Sequence, residues 1–288
     1  MVNKALGQHW LYNRAILEEI AELAKTGKSG EAFQDDLAAV SSASKVTAKT
    51  GVNGAGACTE KGGGARVCVE IGPGLGTLTA SLLRRFEKVI AVEFDRKLAE
   101  NLPKSFPGTN LRVVNADFLG VDLDFDEDYV IAGNIPYYIT SPILEKVLTA
   151  PKLPKRVVLL MQKEVAERIL SEKETVLSLF VKNRAAVWAG PVVLKGEFTP
   201  PPKVDSQVLV LEPHAPEVDE RVFRLIKTAF KAPRKKLAHN LSEYGSKEKI
   251  TETLKEFGLD ENARPGDLHL GDYQRLFNNF NTFERFTT

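Results

Sequence analysis

Arg66-Val67-Cys68-Val69-Glu70-Ile71-Gly72-Pro73-Gly74-Leu75-Gly76 is the stretch that decides the fold. Its first half is an apolar run of strand length; its second half is a turn carrying three glycines and a proline. Thr77 to Phe86 follows with helical spacing, placing Leu78, Leu82 and Leu83 on the inward side. The same alternation then repeats. Strands are predicted over Val89–Val92, Leu111–Val114, Tyr129–Ala132 and Val157–Leu160, with helices about Arg96–Leu102, Pro142–Leu148 and Gln162–Leu170. Strands alternating with helices imply right-handed βαβ units and an α/β fold with a doubly wound, largely parallel sheet. Ala185–Trp188 and Val204–Leu211, two strands close in sequence, are expected to finish it as an antiparallel pair.

In open sheets of this kind ligands bind beyond the C-terminal strand ends. The glycine turn lets a ligand approach the backbone closely. A dinucleotide fingerprint wants a further glycine at position 77, where the chain has Thr77, so a nicotinamide cofactor fits poorly. Glu93, ending the second strand, is placed to accept hydrogen bonds from ribose hydroxyls, and Asp117, after the third, from an adenine amine. Taken one at a time, both read equally well as solvated loop carboxylates. Together, at successive strand ends beside a glycine loop, they favour a nucleoside site without phosphate, which is S-adenosylmethionine.

Gly133-Asn134-Ile135-Pro136-Tyr137-Tyr138 follows the fourth strand. An amine on an aromatic base is a poor nucleophile, because its lone pair is delocalised into the ring. The Asn134 side-chain oxygen and a backbone carbonyl of Ile135 or Pro136 can accept its hydrogens and return the lone pair to nitrogen. Pro136 fixes the local φ and aims that carbonyl. Tyr137 offers a face for an extruded base, and Phe198, ahead of the proline run Pro200–Pro202, is expected on the opposite face.

The 288 residues are 43% apolar and 27% charged, ordinary for a chain that buries a sizeable core. With 39 Lys and Arg against 38 Asp and Glu there is no global basic field, so any nucleic-acid surface must be local. Lys231, Arg234, Lys235 and Lys236 are the best candidates for following a phosphate backbone. Arg84, Arg85 and Lys88, and Lys152, Lys155 and Arg156, read more simply as solvated faces. Cys58 and Cys68 lack CxxC spacing, and four scattered histidines give a metal site no support. No signal peptide or membrane span is read, and a cytoplasmic protein is expected. Nothing suggests an obligate interface, so a monomer is expected.

The chain divides into four parts. Residues 1–26 hold Gly7-Gln8-His9-Trp10-Leu11 and an amphipathic helix with Asn13 as its N-cap. Residues 27–64 are of low complexity and are expected to be a flexible insertion. Residues 65–213 form the sheet domain. Residues 214–288, with an apolar stripe of Val222, Leu225, Ile226, Ala229 and Phe230, form a small helical domain.

The motifs occur in the order of the ribosomal RNA adenine dimethyltransferases, a family the chain resembles over essentially its whole length except 27–64. They are Gly7 to Leu11, Glu70 to Gly76, Val92-Glu93-Phe94-Asp95, Ala116-Asp117, Gly133 to Tyr137, Gln162 to Arg168, Phe198 to Ser206 and Arg234-Lys235-Lys236-Leu237. The resemblance implies a Rossmann-like S-adenosylmethionine-dependent methyltransferase domain followed by a small helical domain. It implies dimethylation of the exocyclic amines of two adjacent adenosines near the 3′ end of small-subunit ribosomal RNA, within a small-subunit particle. Donor contacts carry over to His9, Leu11, Gly72, Glu93, Asp117 and Asn134, with Asn134, Pro136, Tyr137 and Phe198 around the target base. The family usually has Asn and Phe where this chain has His9 and Trp10. The competing readings are a large-subunit methyltransferase of the drug-resistance type, a DNA adenine methyltransferase, and an assembly factor with little catalysis.

Because the 27–64 segment leaves every motif intact, deleting residues 30–60 should preserve cooperative unfolding in a denaturant titration. Loss of cooperativity would show that the segment is structural.

Overall fold

The computed structural model describes residues 9–27 and 65–284, with side chains to residue 280. The segment expected to be a flexible insertion therefore lies outside the described residues, Gly27 excepted. Two compact units divide the chain: residues 1–163 with 189–212, and residues 164–188 with 213–288.

In the first unit, β1 (Trp10–Leu11) leads into α1 (Arg14–Thr26). Asn13 caps α1 by accepting the Ile16 N–H, and Gly27 closes it in the left-handed region, φ 76°. Then come β2 (Val67–Ile71), α2 (Thr77–Leu82), β3 (Lys88–Glu93), α3 (Arg96–Ser105), β4 (Leu111–Asn115), β5 (Tyr129–Asn134), α4 (Thr140–Leu148) and β6 (Arg156–Gln162). The remaining elements between here and the helical C-terminus are α5 (Lys163–Leu170), α6 (Val176–Lys182), β7 (Ala185–Val193), β8 (Phe198–Thr199) and β9 (Ser206–Pro213). The main sheet runs β4-β3-β2-β5-β6-β9-β7. Pairings from β4 through β6 are parallel, and β9 is antiparallel to β6, with Leu159 opposite Leu209. The expected α/β fold is present; β7 runs five residues beyond its expected end at Trp188, and β9 is shifted two residues from the expected Val204–Leu211. Within the predicted proline connector, Phe198 and Thr199 form a strand of their own, which pairs antiparallel with β1 (Trp10 opposite Thr199).

Chain order places β3 and β4 on one side of β2 and β5 on the other. That reversal is the switch point at which the crevice opens. β2 is buried along its whole length. Gly133 faces Ile71 across the β2–β5 pair, and a Cβ there would lie 2.8 Å from the Ile71 carbonyl oxygen. α1 packs on β5 and β6 through Ile16, Leu17, Ile20, Leu23 and Ala24. Glu18 and Glu22 on α1 pair with Arg84 and Arg85, so those arginines are structural. Arg156 likewise holds Glu212, and Lys152 and Lys155 hold Asp128.

The second unit contains α5, α6, α7 (Glu220–Ala229), α8 (Leu237–Asn240), α9 (Lys247–Glu256) and α10 (Leu270–Glu284). Its core gathers Leu179, Val222, Leu225, Ile226, Leu241, Leu254 and Tyr273. Residues 164–188, assigned from sequence to the sheet domain, group with this unit instead. The reason is packing: Leu179 sits in that core, Val176 and Phe180 lie against it, and the Phe180 and Phe223 rings meet edge to face. Among the described residues no helix is long and apolar enough to cross a membrane.

Gly133→Ala should lower the denaturation midpoint, costing about 1–3 kcal/mol through overpacking against a strand backbone that cannot yield. An unchanged midpoint would show that β2 and β5 can separate there.

Candidate active site

Beyond the C-terminal ends of β2, β3, β4 and β5 lies a cavity of about 220 Å³. Gly72 opens its floor: with φ 63° and nothing within 4 Å of where a Cβ would stand, the backbone is accessible to a ligand. The Trp10 indole packs against Gly74, and Leu11, fully buried, forms part of the wall beside it.

Glu93 ends β3 on the cavity. One carboxylate oxygen accepts the Gly74 N–H at 3.0 Å and the other the Asp95 N–H at 2.8 Å. A carboxylate has about four acceptor positions, so these bonds do not exhaust its capacity for a ligand. Burial pushes its pKa up, against the lowering effect of those backbone donors. Asp117 caps the short turn Phe118–Gly120 by accepting the Leu119 N–H, and stands exposed on the cavity wall. Glu70, the residue two places before the first glycine of the turn, also lines the cavity. It is fully buried and accepts the Thr79 hydroxyl at 2.7 Å. Burial raises its pKa to about 8, and the nearby Glu93 charge adds to the rise.

On the β5 side, the Asn134 side-chain amide donates from Nδ2 to the main-chain carbonyl of His9 at 2.9 Å. A carbonyl only accepts, so this contact fixes which way the amide points and leaves Oδ1 as the acceptor available to the cavity. By the same argument, His9 carries a proton on Nδ1, which donates to the Pro200 carbonyl at 2.8 Å. The His9 and Tyr137 rings stack, with centroids 6.1 Å apart and 20° between planes. The Tyr137 hydroxyl is tied to the Ser206 hydroxyl at 2.7 Å, and Ser206 is fully buried. Thus His9, Leu11, Gly72, Glu93, Asp117, Asn134, Pro136 and Tyr137, all named from sequence, border one cavity.

Phe198 does not join them. It is 3% exposed, lies in β8 opposite Leu11, and is not part of the cavity wall. A ring buried there supports the strand pair and offers no face to a base. Sequence reasoning also missed Phe94, 62% exposed on the cavity wall, and Ser206; the only signals were their places next to Glu93 and at the end of the proline motif.

In the helical unit, Lys231, Arg234, Lys235 and Lys236 are all exposed. Lys231 pairs with Glu243 at 3.2 Å, Lys236 donates to Asn262, and Lys235 lies 3.2 Å from the His239 ring nitrogen. Arg234 has no recorded hydrogen-bond or ion-pair partner among the described residues. The described residues contain no group of three or more His, Cys, Asp or Glu side chains arranged to hold a metal ion.

The sequence profile of the family described as ribosomal RNA adenine dimethylase matches residues 1–282. A protein of Mycoplasmopsis synoviae (strain 53) named ribosomal RNA small subunit methyltransferase A is 36% identical over 223 residues, with 74% of this chain and 86% of the relative covered. A protein of the same name from Nostoc sp. (strain PCC 7120 / SAG 25.82 / UTEX 2576) is 35% identical over 232 residues, covering 73% of this chain and 86% of its own length. Among solved structures, a dimethyladenosine transferase from Plasmodium falciparum aligns with TM-score 0.61 and 28% identity, over 75% of this chain and 90% of that one. The 23S rRNA methyltransferase ErmE shares the fold, with TM-score 0.70 at 24% identity over 94% of this chain and 99% of that one.

An unfolded glutamate releases its proton near 4.5, whereas Glu70 in the fold keeps its proton to about 8. Between those values the folded state binds more protons, so this group's contribution to stability falls as pH rises through the window and is level above it. Glu70→Gln should remove that fall. Denaturant midpoints measured from pH 5 to 8 should therefore shift steadily in the variant's favour; parallel curves would mean Glu70 is ionised in the fold.

Proposed function

The chain belongs to the ribosomal RNA adenine dimethylase family, and on that premise we propose that it transfers methyl groups from S-adenosylmethionine to the N6 amines of two adjacent adenosines near the 3′ end of small-subunit ribosomal RNA. The reading rests most directly on the Asn134 amide, turned by the His9 carbonyl so that its oxygen is presented to a cavity that also holds Glu93 and the open backbone of Gly72.

The residues fit the donor. Gly72 leaves its backbone open to the cavity, Glu93 keeps acceptor capacity for ribose hydroxyls, and Asp117 stands at the next strand end for an adenine amine. Phe94 adds an exposed ring beside Glu93 for the adenine face. The donor, when bound, supplies a methyl group already activated on a positively charged sulfur. The protein's task is then to bring the amine to that carbon and keep its lone pair localised. Asn134 Oδ1 and the carbonyl of Ile135 or Pro136 accept the amine hydrogens. Tyr137, tied through its hydroxyl to Ser206 and stacked with His9 on one face, offers its other face to the base. Bond formation leaves the nitrogen with a proton to shed, and no strong base is needed for that loss.

The exposed Lys231, Arg234, Lys235 and Lys236 are assigned to the ribosomal RNA backbone. The same reading makes the protein a monomeric, cytoplasmic enzyme of ribosome biogenesis that requires no metal. Incubation with labelled S-adenosylmethionine and unmethylated ribosomal subunits should place label on the small subunit; label only on large subunits or on DNA would overturn the reading.

Asn134→Ala should lower turnover by about 100-fold or more while weakening donor binding only in part. Tyr137→Ala should act mainly on base positioning and leave donor affinity near that of the unaltered protein. Near-normal turnover by Asn134→Ala in a single-turnover assay would defeat the mechanism.

A further inference from the structure

Tyr137 and Tyr138 are consecutive in the short turn Tyr137–Ile139, and they have opposite fates. Tyr137 is turned inward, its ring against His9 and its hydroxyl bound to Ser206. Tyr138 also lines the cavity, yet its side chain is 65% exposed. Among the described residues it has no hydrogen-bond or ring partner. A three-residue-per-turn backbone rotates successive side chains by about a third of a circle, which accounts for the divergence. Nothing in the packing of the described residues therefore requires a ring at position 138.

Among the described residues the cavity has one other strongly exposed aromatic, Phe94, 62% exposed after the end of β3. In the sheet, β2 separates β3 from β5, so Phe94 belongs to the Glu93 and Asp117 side of the cavity and Tyr138 to the Asn134 side. Two exposed rings, one at each side, match two flat ligands beyond the target base: the donor's adenine at Phe94, and something else at Tyr138. An RNA strand that delivers one base into a pocket must unstack it from its neighbours, and the neighbour then loses a stacking face. An exposed aromatic ring next to the pocket restores that face, and such stacking tolerates any base.

We propose that Tyr138 is the stacking platform for the nucleotide adjoining the target adenosine, so that the site holds two consecutive bases, the target on Tyr137 and its neighbour on Tyr138. The inference rests on the RNA-methylating reading above. It also gives the adjacent adenosine a defined position while its partner is being methylated.

The test uses the full chain and small-subunit particles, unaltered or carrying an abasic residue beside the target adenosine. Tyr138→Ala should lower kcat/KM on unaltered particles on the order of tenfold or more, with the Kd for S-adenosylmethionine and the melting temperature unchanged. Tyr138→Phe should restore the rate, because the ring and not the hydroxyl is used. The abasic residue should slow the unaltered protein by a similar factor and have no further effect on Tyr138→Ala. Additive effects, an undiminished rate for Tyr138→Ala, or a Tyr138→Phe as defective as Tyr138→Ala would each overturn the proposal. Absence of any methylation by the unaltered protein would instead overturn the function on which it rests.

Discussion

At its C-terminal end β5 approaches β2 as closely as it does because residue 133 has no Cβ. The Ile71 carbonyl and side chain occupy the space a larger residue would need, and the parallel pair runs in register from Val67 opposite Tyr129 to Ile71 opposite Gly133. The site depends on this closeness. Immediately past Ile71 the chain turns through Gly72, and immediately past Gly133 it presents Asn134. One tight strand pair therefore sets the separation between the backbone assigned to the donor and the amide assigned to the amine.

Charge is the second constraint. Glu70 and Glu93 are both buried in the wall of one cavity, and burial raises the pKa of each. Two adjacent carboxyls withdrawn from water make a site that gains by receiving positive charge. A sulfonium donor bearing an ammonium group meets that condition, whereas a neutral thioether product meets it less well. On the proposed function, the same wall would hold the charged donor more tightly than the spent form.

Much of this was legible in the sequence because it is local. The strands from β2 to β6 are apolar runs bounded by turns, and Glu93, Asp117 and Asn134 fall at their ends by simple counting. What stayed hidden depends on partners distant in the chain. The β1–β8 pair consists of two-residue strands, too short for any periodicity, and the His9–Pro200 contact joins residues 191 apart. Phe198 looked like a base-stacking ring because it precedes a proline run; its burial beside Leu11 is decided by that unforeseen pair. Residues 164–188 read as a continuation of the alternating pattern, and only the packing of Leu179, with Phe180 against the same core, assigns them to the helical unit.

The β1–β8 pair also orders events during synthesis. His9, Trp10 and Leu11 are made early, but the strand that holds them and the Pro200 carbonyl that accepts the His9 hydrogen bond emerge some 191 residues later. At ordinary elongation rates that is a delay of roughly 10 to 40 s. A nascent chain with β2 to β5 already paired still lacks the strand that pairs with Trp10 and Leu11 at the edge of its cavity. His9, Trp10 and Leu11 thus gain their strand partner only when most of the chain has been made.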